Sequence, residues 1–144
     1  PPRAVLLAAW FHDAVYRGIA GQDEEESARL AEDRLAHAGL PAAEVAEVAR
    51  LVRMTADHRP ETGDDAAALL SDADLSVLGG EPGAYARYLA AVRLDFAHIG
   101  DDDFAAGRAA VVRQLLQLDP LFHTPRGRDL WLDAARRNLQ GELG

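Results

Sequence analysis

Nowhere in this 144-residue chain do apolar and polar residues alternate as they must along a half-buried β-strand. Apolar residues recur instead at intervals of three and four, in runs punctuated by Gly and Pro. That pattern predicts helices at about 4–16, 23–37, 41–55, 64–78, 81–96, 101–116 and 126–139, with ends good to roughly three residues. Composition agrees, since 49% of the residues are hydrophobic, only 6% are aromatic, and alanine, the best helix former, is abundant. Pro1 and Pro2 precede the first segment, and Arg17-Gly18-Ile19-Ala20-Gly21 breaks the chain after it. The expectation is an all-α fold: one compact single-domain bundle of about seven helices covering residues 1–144.

Charge and residue usage exclude several functions. The formal net charge is −9, which disfavours a long nucleic acid as partner. All 15 basic residues are Arg, and there is no Cys, so disulfides, thiolate zinc sites and a Cys nucleophile are excluded. No apolar run is long enough to span a membrane, and the start of the chain as given is not expected to be a signal peptide. A cytoplasmic protein is therefore expected. The chain begins Pro1-Pro2 without an initiator Met, so a natural protein extending upstream is expected.

The chemistry is carried by three polar clusters set in or beside apolar runs. His12 and Asp13 lie among Leu6, Leu7, Trp10, Phe11, Ala14 and Val15, so at least one of the pair must point inward. A buried carboxylate is costly unless it is paired, hydrogen-bonded or metal-bound. His58 follows the third helix in a polar loop, with Thr55 one turn earlier. Asp72 and Asp74 interrupt the apolar run from Leu69 to Leu78, and at least one of them is expected to face solvent. Imidazole and carboxylate together suit Mn, Fe, Co, Ni or Zn, and Mg is also allowed. Neighbours on a helix lie about 100° apart, so an ion shared by His12 and Asp13 would sit over the gap between them, completed by a carboxylate from another helix. Asp23-Glu24-Glu25-Glu26 loads acid onto the first turn of the second helix, where Glu24, Glu25 and Glu26 read as solvated, and Asp101-Asp102-Asp103 reads as a solvated cap.

The run Leu7-Ala8-Ala9-Trp10-Phe11-His12-Asp13-Ala14-Val15-Tyr16 resembles the core motif of the HD superfamily of metal-dependent phosphohydrolases, in particular a small bacterial branch of it. Glu24-Glu25-Glu26-Ser27-Ala28, Thr55-Ala56-Asp57-His58 and Leu70-Ser71-Asp72-Ala73-Asp74-Leu75 are similar to further blocks of that branch. Weaker similarities fall at Arg93-Leu94-Asp95-Phe96-Ala97-His98, Gly107-Arg108 and Ala135-Arg136-Arg137-Asn138-Leu139.

The resemblance implies an HD-like helical domain in which His12 and Asp13 are metal ligands and the distal ligand is Asp74 or Asp72. Asp74 is favoured, because Ala73-Asp74-Leu75-Ser76 is similar to the ligand run of cyclic-nucleotide phosphodiesterases of the same superfamily. The superfamily's first histidine sits on a helix upstream of the doublet, where this chain has no residue: either that helix exists in the natural protein, or the site lacks a ligand, in which case weak metal occupancy and a bare apolar face where the helix would pack are expected.

The implied activity is metal-assisted hydrolysis of a small phosphorylated metabolite, a nucleotide by superfamily analogy. His58 would contact the phosphate or act as general acid. One of Arg59, Arg93 and Arg108 would neutralise phosphoryl charge, and Glu24 or Glu25 would orient the attacking water. A homo-oligomer is allowed. The alternative expectation is a catalytically weak or inactive HD-fold domain that binds a metal or nucleotide as a sensing module. A purely structural bundle would leave His12, Asp13 and Asp74 too far apart to share an ion.

Overall fold

The computed structural model describes residues 2–19 and 21–144; Pro1, and the Ala20 assigned above to the break after the first helix, lie outside the described residues. The described residues contain no strand, and seven helices account for the fold. They are α1 (Arg3–Phe11), α2 (Gln22–His37), α3 (Ala42–Met54), α4 (Asp65–Leu75, extended by a 3₁₀ turn Ser76–Gly79), α5 (Pro82–Asp95), α6 (Asp101–Gln117) and α7 over 125–142. The last runs from a first turn Pro125–Gly127 through a π-helical stretch Arg128–Leu132 into Asp133–Glu142. No helix among the described residues is long and apolar enough to cross a membrane. The chain divides into two compact units, one ending at Asp74 and the other running from Leu75 to Gly144.

In the first unit α2 and α3 form a helical hairpin, and α1 packs on both. Gly39, in the left-handed region at φ 85°, ends α2, and Leu40 N–H reaches back to the Leu35 carbonyl at 3.2 Å. The core is built largely from small residues: Ala8, Ala28, Ala31 and Ala49 are buried beside Val48, Leu51 and Val52. Small side chains at the crossings let helix axes approach closely. Asp64 caps α4, its Oδ1 accepting the Ala67 N–H at 3.2 Å. The outward face of α1 leaves Leu6 and Trp10 exposed, Trp10 at 82%.

In the second unit Leu78, Tyr85, Val112, Phe122, Ala135 and Leu139 are buried together. A polar network crosses this core. Arg108 donates to Glu142 Oε1 at 2.8 Å and Oε2 at 2.9 Å, and to the Tyr88 hydroxyl at 3.2 Å, while the Tyr85 hydroxyl donates to Glu142. Asn138 Nδ2 donates to both Leu78 O and Gly80 O, fixing the 3₁₀ turn on α7. Gly79 between those carbonyls lies against Trp131: a Cβ there would stand 2.8 Å from its Cα and 2.9 Å from its carbonyl oxygen.

These are backbone atoms that cannot swing aside. Gly79→Ala is therefore expected to lose about 1–3 kcal/mol in urea unfolding. Gly107→Ala, within α6 and with nothing inside 4 Å of its Cβ position, is expected to be neutral or to gain about 0.5–1 kcal/mol from helix propensity. Equal behaviour of the two variants would contradict the close approach at Gly79.

Candidate metal centre

The first helix stops earlier than its apolar pattern suggests. It ends at Phe11, not near Tyr16; His12 is its C-cap and Asp13 lies beyond it. The physical reason is a competing set of partners on α2. Ser27 Oγ accepts the Val15 N–H at 2.9 Å and donates back to Val15 O at 3.2 Å. Asp23 Oδ2 accepts three successive backbone N–H groups, from Arg17, Gly18 and Ile19, at 2.9, 2.8 and 3.1 Å. Backbone donors and acceptors that a longer helix would have used internally are satisfied by these two side chains. Asp23, the first acid of the α2 turn, is buried, while Glu25 and Glu26 face outward partners, Arg53 and Arg17.

Leaving the helix frees the doublet from the 100° separation of helical neighbours. His12 Nε2 stands 3.2 Å from Asp13 Oδ2 and 2.9 Å from Asp74 Oδ1. The ring is fixed at its other nitrogen, where Nδ1 lies 2.7 Å from Ala9 O. A carbonyl can only accept, so Nδ1 carries a hydrogen and Nε2 faces the two carboxylates. His58 approaches Asp74 from the other side, its Nε2 3.1 Å from Oδ2 and its Nδ1 3.2 Å from Ser71 Oγ. Asp74 thus gathers the end of α1 and the loop after α3 onto α4.

Burial opposes ionisation of Asp74, but the hydrogen bonds from His12 and His58 outweigh it and hold the carboxyl well below its ordinary range. His12 responds oppositely: the Asp13 carboxylate, then Asp74, push its pKa up to about 10. In the absence of any other cation His12 is therefore protonated at neutral pH, and its proton supplies the positive charge the two carboxylates require. Its place at the C-terminal end of α1, the negative pole of the helix dipole, favours positive charge further.

The same donor set fits a divalent cation. Ligand atoms about 2.0–2.1 Å from one ion stand about 2.8–3.4 Å apart when adjacent, and the two histidine–carboxylate separations fall in that range. One atom from each of His12, Asp13 and Asp74 lies within 4.8 Å of the others, the only such group of three among the described residues. A metal-bound histidine commonly donates its second N–H to a backbone carbonyl, as His12 does to Ala9. Asp13 is 64% exposed, so solvent reaches this side of the group.

The remaining candidates fall elsewhere. Asp72 is 1% exposed and does not join the group; with Asp74 only 25% exposed, neither carboxylate is the solvent-facing residue expected of the pair. Glu24 accepts the Gly21 N–H at 2.8 Å and caps its own helix. Arg59 is exposed beside His58 in the chain. Arg93 donates to Phe96 O, Ile99 O and Asp101 and lies 4.6 Å over the Phe104 ring, so it closes the α5–α6 loop. Arg108 serves the Glu142 network. Sequence reasoning missed the roles of Asp23, Ser27 and Ser71. The available signal was a hydroxyl on a core stripe, Ser27 with Ala31 and Leu35, and Ser71 with Ala67 and Leu75. Comparison with family models, curated proteins and solved structures finds no match for this chain.

Two outcomes follow from this geometry. Asp23→Ala leaves three backbone donors without their acceptor and is expected to cost at least about 2 kcal/mol in urea unfolding; a loss near zero would show that the turn does not depend on it. In chelator, His12's raised pKa contributes stability in full below pH 6.5, and this is lost as the pH rises through about 10. Asp74's depressed pKa contributes above the ordinary value of 3.8, and this is lost as pH falls through the lowered one. Metal-free protein should therefore weaken steadily between pH 6.5 and about 10, and Asp74→Asn should flatten that decline. An identical alkaline slope in both proteins would refute the pairing.

Proposed function

We propose that this protein is an HD-type metal-dependent phosphohydrolase acting on a small phosphorylated metabolite, with a nucleotide as the favoured substrate class. The observation that carries the reading is the convergence of His12, Asp13 and Asp74, residues 62 positions apart in sequence at the extremes, onto one point with the ring of His12 already oriented by Ala9. His12, Asp13 and Asp74 would hold the cation. Bound there, it would supply Lewis-acid chemistry to a phosphate ester and its attacking water. Asp13, the most exposed of the three, lies on the side open to substrate. Arg59 is the arginine best suited to a phosphate, because Arg93 and Arg108 are committed to other partners. The net charge of −9 supports a small substrate over a long nucleic acid.

The alternative, an HD-like domain that binds a metal or nucleotide without turnover, draws support from that same commitment of Arg93 and Arg108, which leaves a single candidate arginine.

The test is elemental analysis of full-length protein purified without chelator, with Asp13→Ala and Asp74→Ala alongside and their folding checked by circular dichroism. The hydrolase reading expects a stoichiometric transition metal in the wild type, lost in both variants, and phosphate release from at least one class of nucleotide. Metal without release from any nucleotide would favour the sensing module. No metal, even after Mn²⁺ or Ni²⁺ is supplied, would refute the hydrolase reading and leave a nucleotide-binding or structural module. Because His12 must lose its proton to bind an ion, the apparent affinity should rise with pH, by up to about tenfold per unit below about pH 10.

A further inference from the structure

We propose that Ser71 and His58 are positioning residues of the metal centre: the Ser71 hydroxyl fixes the His58 ring so that its Nε2–H holds one oxygen of Asp74 and turns the other towards His12. The inference rests on the metal reading above and assigns a role within it that neither the acid nor the phosphate-contact reading of His58 contains.

Two histidines flank Asp74, and their Nδ1 atoms have chemically different partners. At His12 the partner is a backbone carbonyl, 2.7 Å away, which can only accept. Nδ1 therefore carries the hydrogen, and the neutral ring offers a lone pair at Nε2. At His58 the partner is the Ser71 hydroxyl, 3.2 Å away, which can donate. Nδ1 then accepts, and the hydrogen of the neutral ring resides on Nε2, 3.1 Å from Asp74 Oδ2. The opposite assignment would set two acceptors against each other at that distance. Once His12 gives up its proton to a cation, the two neutral rings would hold opposite tautomers, one as a ligand and one as a donor.

The scaffold is arranged for this. Ser71 and Asp74 are three residues apart on α4 and share a face, so one turn of helix clamps both nitrogens of the His58 ring. Ser71 is fully buried, which makes its hydroxyl a poor candidate for direct substrate contact. The backbone of His58 is left-handed at φ 56°, uncommon for a residue with a side chain. It is supported by the Arg59 N–H, which donates to Asp57 Oδ1 at 3.1 Å. A strained conformation persists where the surroundings require it, and here it delivers the ring to Asp74. With Oδ2 engaged by His58, Oδ1 is left to face His12. Hydrogen-bonded partners of ligating carboxylates orient them in this way, and their loss costs about 10- to 100-fold in metal affinity.

The experiment titrates Mn²⁺ and Co²⁺ separately into the full-length metal-free protein as wild type, Asp13→Ala, His58→Ala, His58→Gln and Ser71→Ala. Melting in chelator records the stability of each without metal. Binding to wild type that is lost in Asp13→Ala establishes the centre independently of His58. The proposal expects His58→Ala to weaken binding about 10- to 100-fold. His58→Gln, whose side-chain N–H reaches the position of Nε2, should recover most of that loss. Ser71→Ala should weaken binding less than His58→Ala and shift the visible absorption of bound Co²⁺.

Unchanged affinity in His58→Ala would overturn the proposal while leaving the metal reading intact. So would a His58→Gln variant as weak as His58→Ala, which would make the ring itself a ligand. A loss of affinity in His58→Ala and Ser71→Ala matched by a fall in metal-free melting would also overturn it, by reducing both residues to fold support. If wild type binds neither cation, the metal reading fails and the proposal with it.

Discussion

A carboxylate that is three-quarters withdrawn from solvent has to be compensated, and Asp74 is compensated from two sides. His12 reaches Oδ1 from the end of α1, and His58 reaches Oδ2 from the loop after α3. The local structure of the first unit can be understood as what is needed to bring those two rings to one residue of α4. The helix of the doublet has to end at His12, so that Asp13 can turn back towards the same point. The loop has to adopt a left-handed residue at His58. Both are unfavourable choices for isolated segments, and both draw on side chains from other helices, Ser27 and Asp23 for the first and Ser71 and Asp74 for the second.

Those supporting side chains are small and polar. Ser27 and Asp23 on α2 take over the backbone groups that follow the doublet, and Ser71 on α4 takes the outer nitrogen of His58. Each stands where an apolar residue would otherwise complete the core stripe of its helix. The alanine-rich packing of α1, α2 and α3 is compatible with this, because close helix crossings keep short side chains within reach of neighbouring backbone. The centre is also electrostatically poised. The proton that His12 retains up to about pH 10 occupies the place where the proposed divalent cation would supply positive charge.

The second unit spends its polar residues differently. Arg108, Glu142, Tyr85 and Tyr88 satisfy one another within its core, Arg93 closes the loop between α5 and α6, and Asn138 holds the carbonyls around Gly79. Charged residues that looked available for a phosphate when read as sequence are therefore structural. The cause lies outside their own segments: an arginine on an amphipathic helix has the same local pattern whether its guanidinium meets solvent, substrate or a glutamate 34 residues away.

The sequence by itself determined the helical class, the approximate place of all seven helices, and the His12, Asp13 and Asp74 candidates. Helical periodicity, Gly and Pro punctuation and charged residues inside apolar runs are local signals, readable without knowing what packs where. Only the tertiary structure decided that α1 stops at Phe11, that Asp23 is buried, that Asp74 rather than Asp72 meets His12, and that Arg93 and Arg108 are occupied. Each of these depends on a partner distant in sequence. Hydrogen bonding to such a partner can outweigh local propensity at a helix end, and burial is a property of the packed fold that no single segment encodes.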